Sequence, residues 1–363
     1  MDLGTIIGIG IVLALLAPLF RGLAIGLRGS PRAAASKPPA VGPLVEVKLV
    51  GLSEPPSSSE IELFRDFLTV RSIDFCGQGS KSPNGKYLVG SQDSDYRGGA
   101  NGGYRSKGYG RVVLLDGSQV IWQIDLERPN DAVVADNGTV AVNDWRFGDG
   151  LKGTFYIIDR SGRKFGHSTR ANLLKCGISK DGALTWCTTA SSDYEPDDCM
   201  TFIFSTSPPN LLFKAEGNLE IDDIFSTNNE IHLKKKGITE RYDFSGKLLN
   251  PEEVDESWYK HTLEHGSPFE LLSLARGILY GKEKGDVTEA EAQEIGDVID
   301  KILKMAGIDD DYHAQAYRLL GELAEAQGDI QVAVKHYRTA LTYNPKVGVL
   351  RTLSRLEKQL SKN

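Results

Sequence analysis

Hydrophobic positions along this chain follow three different rhythms. From Leu3 to Phe20 no charge interrupts 18 apolar or small residues, about the minimum that spans a bilayer. Only Met1-Asp2 precede the run, whereas Arg21, Arg28, Arg32 and Lys37 follow it. A secretory leader carries its cations before the apolar stretch, so the expected element is an uncleaved transmembrane helix over 1–28. The positive-inside rule then places the bulk of the chain in the cytoplasm, as a single-pass membrane protein. Residues 29–43, rich in Pro and Ala, read as an extended linker.

Between 44 and 250 the rhythm shortens to β-rich runs broken by Gly, Asn and Asp. Four turn signals recur: Pro83-Asn84-Gly85, Asp136-Asn137-Gly138, Lys180-Asp181-Gly182 and Thr227-Asn228-Asn229. Such residues supply the positive φ of tight hairpins. A strand follows each turn (KYLVGSQ, TVAVNDW, ALTWCTT, EIHLKKK), and then a strand pair (RVVLLDGSQVIWQID, TFYIIDRSGRKFGH, TFIFSTSPPNLLFKAE, TERYDFSGKLLN). Gly85, Gly138 and Gly182 lie 53 and 44 residues apart, so each repeat has the length of a small antiparallel sheet that needs neighbours to cover its faces. A sheet added from 44–75, an incomplete ring and a β-sandwich all remain open at this stage.

After an interdomain segment, 251–266, a helical period sets in from 267 to 363. Ser267-Pro268-Phe269-Glu270 and Thr288-Glu289-Ala290-Glu291 are capping boxes, opening helices over about 267–282 and 288–306. Two more follow in Asp311–Pro345, broken at Gly328-Asp329, and a last one covers about 346–361, giving five in all. Tyr317, Leu320 and Ala324 share one helical face, as do Ala333, Tyr337, Ala340 and Leu341. Trp258 and Tyr259 stand side by side in the interdomain segment. Exposing both forfeits burial energy, so Trp258 is expected to pack at the junction of the domains.

The pattern Leu320-Gly321, Gly328-Asp329, Ala333-x3-Tyr337-x2-Ala340 and Pro345 resembles a tetratricopeptide (TPR) repeat over 312–345. That resemblance implies helical hairpins whose first helices line a peptide- or protein-binding groove, here with His313, Gln315, Arg318, Glu322 and Glu325. More weakly, 70–250 resembles β-propeller repeats of the quinoprotein or WD40-like kind, with Trp122 in the one tryptophan-docking position.

Composition narrows the chemistry. A net charge of −7 implies no general nucleic-acid surface. The loop Asp93–Gly110 carries six glycines among Tyr96, Arg97, Tyr104, Arg105, Lys107 and Tyr109; Arg and Tyr of this kind clamp a protein partner or stack on bases. Asp193–Asp198 is acidic but lacks calcium-loop spacing, so a solvated turn is expected. Cys76, Cys176, Cys187 and Cys199 show no metal-ligand spacing. Cys176 and Cys187 are candidate sheet neighbours, read as free thiols with a disulfide as the alternative. His261-x-x-Glu264-His265 matches a zinc-peptidase pattern, but Gly266-Ser267 end the segment and no long helix is expected to carry it. No Walker loop, nucleophile elbow or dinucleotide fingerprint is present.

The expected protein is thus multidomain β + α: an N-terminal transmembrane helix, a β-propeller-like antiparallel domain and C-terminal TPR-like helical hairpins. Its expected role is a membrane-anchored scaffold that binds a protein or peptide partner, with no enzymatic activity, no cofactor and no metal. The rival is an extracytoplasmic ligand-binding or enzymatic propeller with the N-terminus as signal or anchor.

Overall fold

The repeated turn signals build the β region. In Ser82-Pro83-Asn84-Gly85 the Ser82 hydroxyl donates to Asn84 Oδ1 at 2.8 Å and accepts the Tyr87 N–H at 2.9 Å. Ser179 repeats this with Asp181 Oδ1 at 2.6 Å and the Leu184 N–H at 2.9 Å. Gly85, Gly138 and Gly182 close the turns at φ of +75, +84 and +74°, a region that costs glycine no steric energy. Successive turns are also tied together: the Asn84 N–H donates to Asp136 Oδ1 at 2.7 Å, and the Asp136 N–H to the Lys180 carbonyl at 2.9 Å. A glycine-closed turn therefore shapes the first three hairpins and spaces each from the next.

The computed structural model describes residues 60–94, 108–148, 150–217, 220–281 and 286–361. They divide into a β unit ending at Asn250 and a helical unit starting at Pro251. The first sheet contains β1 (Ile61–Phe64), β2 (Phe67–Val70), β3 (Phe75–Lys81), β4 (Tyr87–Gln92), β5 (Gly110–Asp116) and β6 (Gln119–Leu126). The second contains β7 (Pro129–Val134), β8 (Val140–Asp144), β9 (Gly153–Ile158) and β10 (Lys164–Thr169). The third contains β11 (Leu173–Ile178), β12 (Leu184–Thr189), β13 (Met200–Thr206) and β14 (Pro209–Glu216), and the fourth β15 (Asp223–Thr227), β16 (Glu230–Lys235) and β17 (Ile238–Asp243). Every sheet is an antiparallel meander in chain order.

Consecutive sheets stack through their leading strands: β3 and β4 pack on β7, β7 and β8 on β11, and β11 and β12 on β15. This is a β-propeller-like arrangement. Between sheets one and two lie Val89, Leu114, Trp122, Val134 and Val142; between two and three, Phe155, Phe165, Phe202 and Phe204; between three and four, Trp186, Ile203, Phe213, Ile224 and Leu233. The two ends of the stack are finished differently. The β1–β2 hairpin curls over the free face of its own sheet, setting Leu68, Val70 and Phe75 against Val113 and Leu115. Gly90 permits that closeness, since a Cβ there would lie 2.5 Å from the Phe75 ring. The other face of sheet four is charged: Glu230 pairs with His232 and Arg241, and Lys234 pairs with Asp223 and lies over the Phe225 ring.

One expected strand is missing. TERYDFSGKLLN forms β17 and then folds back, with a single bridge from Tyr242 to Leu248. Asn250 takes the place of a strand: its Oδ1 accepts the Arg241 N–H at 2.9 Å and its Nδ2 donates to the Thr239 carbonyl at 3.1 Å. An edge that would invite pairing is blunted by one side chain.

Six helices occur among the described residues: α1 (Pro251–His265), α2 (Pro268–Tyr280), α3 (Glu289–Leu303), α4 (Asp310–Ala326), α5 (Ile330–Tyr343) and α6 (Leu350–Leu360). Both capping boxes form, at Ser267/Glu270 and Thr288/Glu291. The α1 helix corrects the expectation that no long helix carries 251–266. Pro251 opens it, Glu252 and Glu253 complement its N-terminal dipole, and Tyr259 and Leu263 pack on the core of α2 and α3. In the α4–α5 hairpin Ala333, Ala340 and Tyr337 are buried, and a Cβ on Gly321 would stand 2.5 Å from the Tyr337 ring. Gly321 is there to let that ring in.

The expectation of a membrane-spanning helix is corrected. Among the described residues no helix is long and apolar enough to cross a bilayer. The longest, α4, has 17 residues and includes Asp310, Asp311, Arg318, Glu322 and Glu325, against the roughly 20 apolar residues a crossing needs. The segment 1–28 and the linker 29–43 lie outside the described residues. The transmembrane fold element and the single-pass, cytoplasm-facing placement are accordingly withdrawn.

Candidate functional site

The longest connection within the first sheet joins β4 to β5, within the second β8 to β9 and within the third β12 to β13, and all three emerge at one end of the stack. That end is built outward from buried carboxylates. Asp144, at the end of β8, accepts N–H bonds from Arg128 at 2.7 Å, Arg146 at 2.8 Å and Glu127 at 3.2 Å. Burial is the main cause that raises its pKa, partly offset by those bonds. Glu127 in turn accepts the Phe147 N–H at 3.1 Å and pairs with Arg146 at 3.3 Å. The turn is thereby held with Phe147 beside Tyr109, ring centroids 5.9 Å apart. Trp145 Nε1 donates to the Leu173 carbonyl at 2.5 Å, which links this turn to the third sheet.

The third sheet uses the same means. Asp197, buried, accepts the Arg170 N–H at 2.8 Å through one oxygen and Lys214 Nζ at 3.3 Å through the other. Ser192 Oγ donates to the Arg170 carbonyl at 2.7 Å. Tyr194 is thus set under the Arg170 guanidinium, 4.6 Å from ring centroid to Cζ. The expected solvated acidic turn is therefore organised around Asp197. Leu151, Lys152, Arg170, Ser192, Asp193 and Tyr194 surround an open cavity of about 320 Å³. Tyr109 is 53% exposed, Leu151 45% and Tyr194 40%. Aromatic, aliphatic and cationic side chains from four connections share this end, a composition that protein interfaces favour.

Of the glycine-rich loop, Tyr96, Arg97, Tyr104 and Arg105 lie outside the described residues, and Tyr109 stands at its descending edge. Phe147, Leu151, Lys152 and Arg170 were not legible as site residues. Phe147, Leu151 and Lys152 sit in the β8–β9 connection and Arg170 in the β10–β11 connection, and no spacing connects the two. The acidic Asp193–Asp198 stretch was the one available signal for that side of the cavity.

Four of the five groove residues on α4 form a seam with neighbouring elements. Gln315 accepts from Arg276 on α2 at 2.6 Å. Arg318 donates to Glu322 at 2.9 Å and to the Val347 carbonyl at 3.1 Å. Glu322 also accepts the Tyr280 hydroxyl from α2. Glu325 accepts Arg355 from α6 and the Tyr337 hydroxyl from α5, the latter at 3.1 Å. His313 stands apart, stacked on Tyr343 at 4.7 Å, and Tyr343 stacks in turn on Tyr317 at 5.7 Å. A trough of about 780 Å³ along α6 is lined by that helix alone and has no opposing wall.

The remaining candidates separate cleanly. Trp258, expected at the junction, lies on α1, half-buried, with its ring edge-on to His261 at 5.7 Å. His261 and His265 are neighbours on α1 at 5.1 Å, yet among the described residues no three His, Cys, Asp or Glu side chains gather as a metal site. Cys176 and Cys187 are cross-strand partners, buried and free. Burial pushes both thiols well up, so they resist ionisation and behave as core residues.

No protein-family model matches this chain, and no curated protein matches it. Solved structures with detectable likeness include the crystal structure of HIRA residues 644–1017, at 11% identity and a TM-score of 0.32, covering 71% of this chain and 94% of that one. Hydrazine synthase from Kuenenia stuttgartiensis is 12% identical with a TM-score of 0.28, covering 52% of this chain and 75% of that one. Sqt1 from Saccharomyces cerevisiae is 11% identical with a TM-score of 0.26, covering 46% of this chain and 58% of that one. Scores this low carry no argument about activity, and the propeller-like description of the β unit rests on its own sheet order.

Proposed function

We propose that this protein is an interaction scaffold, acting by binding protein or peptide partners rather than by catalysis. The observation that carries this reading is the shared loop end of the β unit, where Tyr109, Phe147, Leu151 and Tyr194 stand exposed or half-exposed beside Arg146, Lys152 and Arg170. Their supports are rigid: Asp144 and Asp197 anchor the backbones that present them. Pre-organised aromatic and arginine side chains make binding hot spots because little entropy is lost on docking.

The TPR-like pattern of the helical hairpins supports a second surface along α2, α4 and α6. There His313, Gln315, Arg318, Glu322 and Glu325 are proposed as its lining. Gln315, Glu322 and Glu325 are braced against neighbouring helices and Arg318 against Glu322 and the Val347 carbonyl, which gives that surface a defined shape before any partner arrives.

The test is site-specific photo-crosslinking in cells. A benzophenone amino acid at Tyr109 or Phe147 is expected to capture a discrete protein partner, while the same group at Lys234, on the charged face of sheet four, captures none. Equal capture at all three positions, or none at Tyr109 and Phe147, would refute the loop-end reading.

A further inference from the structure

The cavity at the loop end carries more information than its position. Among the described residues neither the Lys152 ammonium nor the Arg170 guanidinium pairs with a carboxylate, although Asp193 lines the same space. Arg170 is also unusually well held for an exposed arginine. Its N–H is bound by Asp197, its carbonyl by Ser192 Oγ, and its guanidinium rests on Tyr194. A guanidinium stacked through its face keeps its N–H edge free, and that edge matches the two oxygens of a carboxylate. Leu151 and Tyr194 supply the apolar wall, and Tyr109 with Phe147 continues it along the same end of the stack.

We infer that this cavity takes the carboxylate side chain of an acidic peptide segment in a partner protein. Arg170 is the bidentate anchor, Lys152 the second cation, and an aromatic or aliphatic residue flanking the acid lies against Leu151 and Tyr194. Charge complementarity selects the occupant: two unpaired cations beside an apolar wall favour an acid with an apolar neighbour over a neutral or basic segment. Asp193 adds selectivity, since it repels a segment that presents more negative charge than the two cations can match. The inference rests on the loop-end docking reading and specifies the chemistry of the docked partner.

The experiment is a phage selection of random dodecapeptides on the full chain, followed by fluorescence anisotropy of the enriched peptides. Enriched sequences are expected to carry Asp or Glu next to Phe, Tyr, Trp or Leu. Arg170→Gln is expected to weaken their binding about tenfold, the scale of one lost charged hydrogen bond, as is changing the peptide's acid to its amide. Arg163→Gln, a cation paired with Asp159 away from the cavity, should leave binding unchanged, and circular dichroism should show all variants folded. Enrichment of neutral or basic peptides that lose binding in Phe147→Ala overturns the carboxylate assignment and leaves loop-end docking standing. Peptides indifferent to both Arg170→Gln and Phe147→Ala, or no enrichment at all, overturn both.

Discussion

Asp197 is the residue on which the loop-end site depends most, and its replacement should show it. The carboxylate is 9% exposed, its partner Lys214 25%, and the two are 3.3 Å apart. Asp197→Ala removes an acceptor from the Arg170 N–H and leaves the Lys214 ammonium over the Phe202 ring, 4.5 Å from its centroid, with only the Pro196 carbonyl at 2.9 Å. Breaking a fully buried pair costs about 3–5 kcal/mol; the partial exposure of Lys214 lowers that, and a loss of roughly 2–4 kcal/mol is expected. Asp197→Asn keeps an acceptor for Arg170 and should cost about half as much. Urea unfolding followed by tryptophan fluorescence reads the β unit selectively, because Trp122, Trp145 and Trp186 lie in it and Trp258 alone in the helices. A double-mutant cycle with Lys214→Met should recover about 1 kcal/mol or more, since the stranded ammonium is then gone. An Asp197→Ala protein within about 0.5 kcal/mol of the parent, the range of an ordinary surface change, would refute this account of how the site is held.

Two further outcomes follow from packing elsewhere. The His167 ring lies between Phe202 and Phe204, at 5.3 and 5.2 Å, and burial, then Lys214, lowers its pKa from 6.5 to about 4, against Asp197, which raises it. The unfolded chain protonates this histidine below about pH 6.5 and the folded one only near 4, so the contribution is complete above 6.5 and is lost as pH falls between those values. Its ceiling is roughly 3 kcal/mol. Urea midpoints of the parent and His167→Gln should therefore converge on acidification, and identical acid slopes would count against it. Gly321→Ala adds about 1 kcal/mol of helix propensity but drives a methyl into Tyr337, which is 1% exposed and held by Glu325. Overpacking at about 1–3 kcal/mol prevails, so the thermal melt of the helices should fall, and a raised melting temperature would contradict the packing.

What could be read without coordinates was what is local in the chain. The Asn-Gly and Asp-Gly turns, the strand after each and both capping boxes depend on neighbours within a few residues, the Gly321–Tyr337 contact on the two helices of one hairpin, and each forms as its residues dictate. Local pattern also misled. TERYDFSGKLLN alternates like a strand pair, yet Asn250 satisfies the edge instead. The stretch 251–266 looked like a connector because its acidic start hides the apolar stripe of Tyr259 and Leu263, which emerges only when α2 and α3 are there to receive it. The site was hidden for a deeper reason. Phe147, Leu151, Arg170 and Tyr194 belong to loops whose lengths share no period. They meet only because the sheets stack with the β8–β9, β10–β11 and β12–β13 connections at the same end, held there by Asp144 and Asp197. Hydrogen-bonding range along the chain sets turns and caps; bringing those four side chains together requires the stack to be folded first.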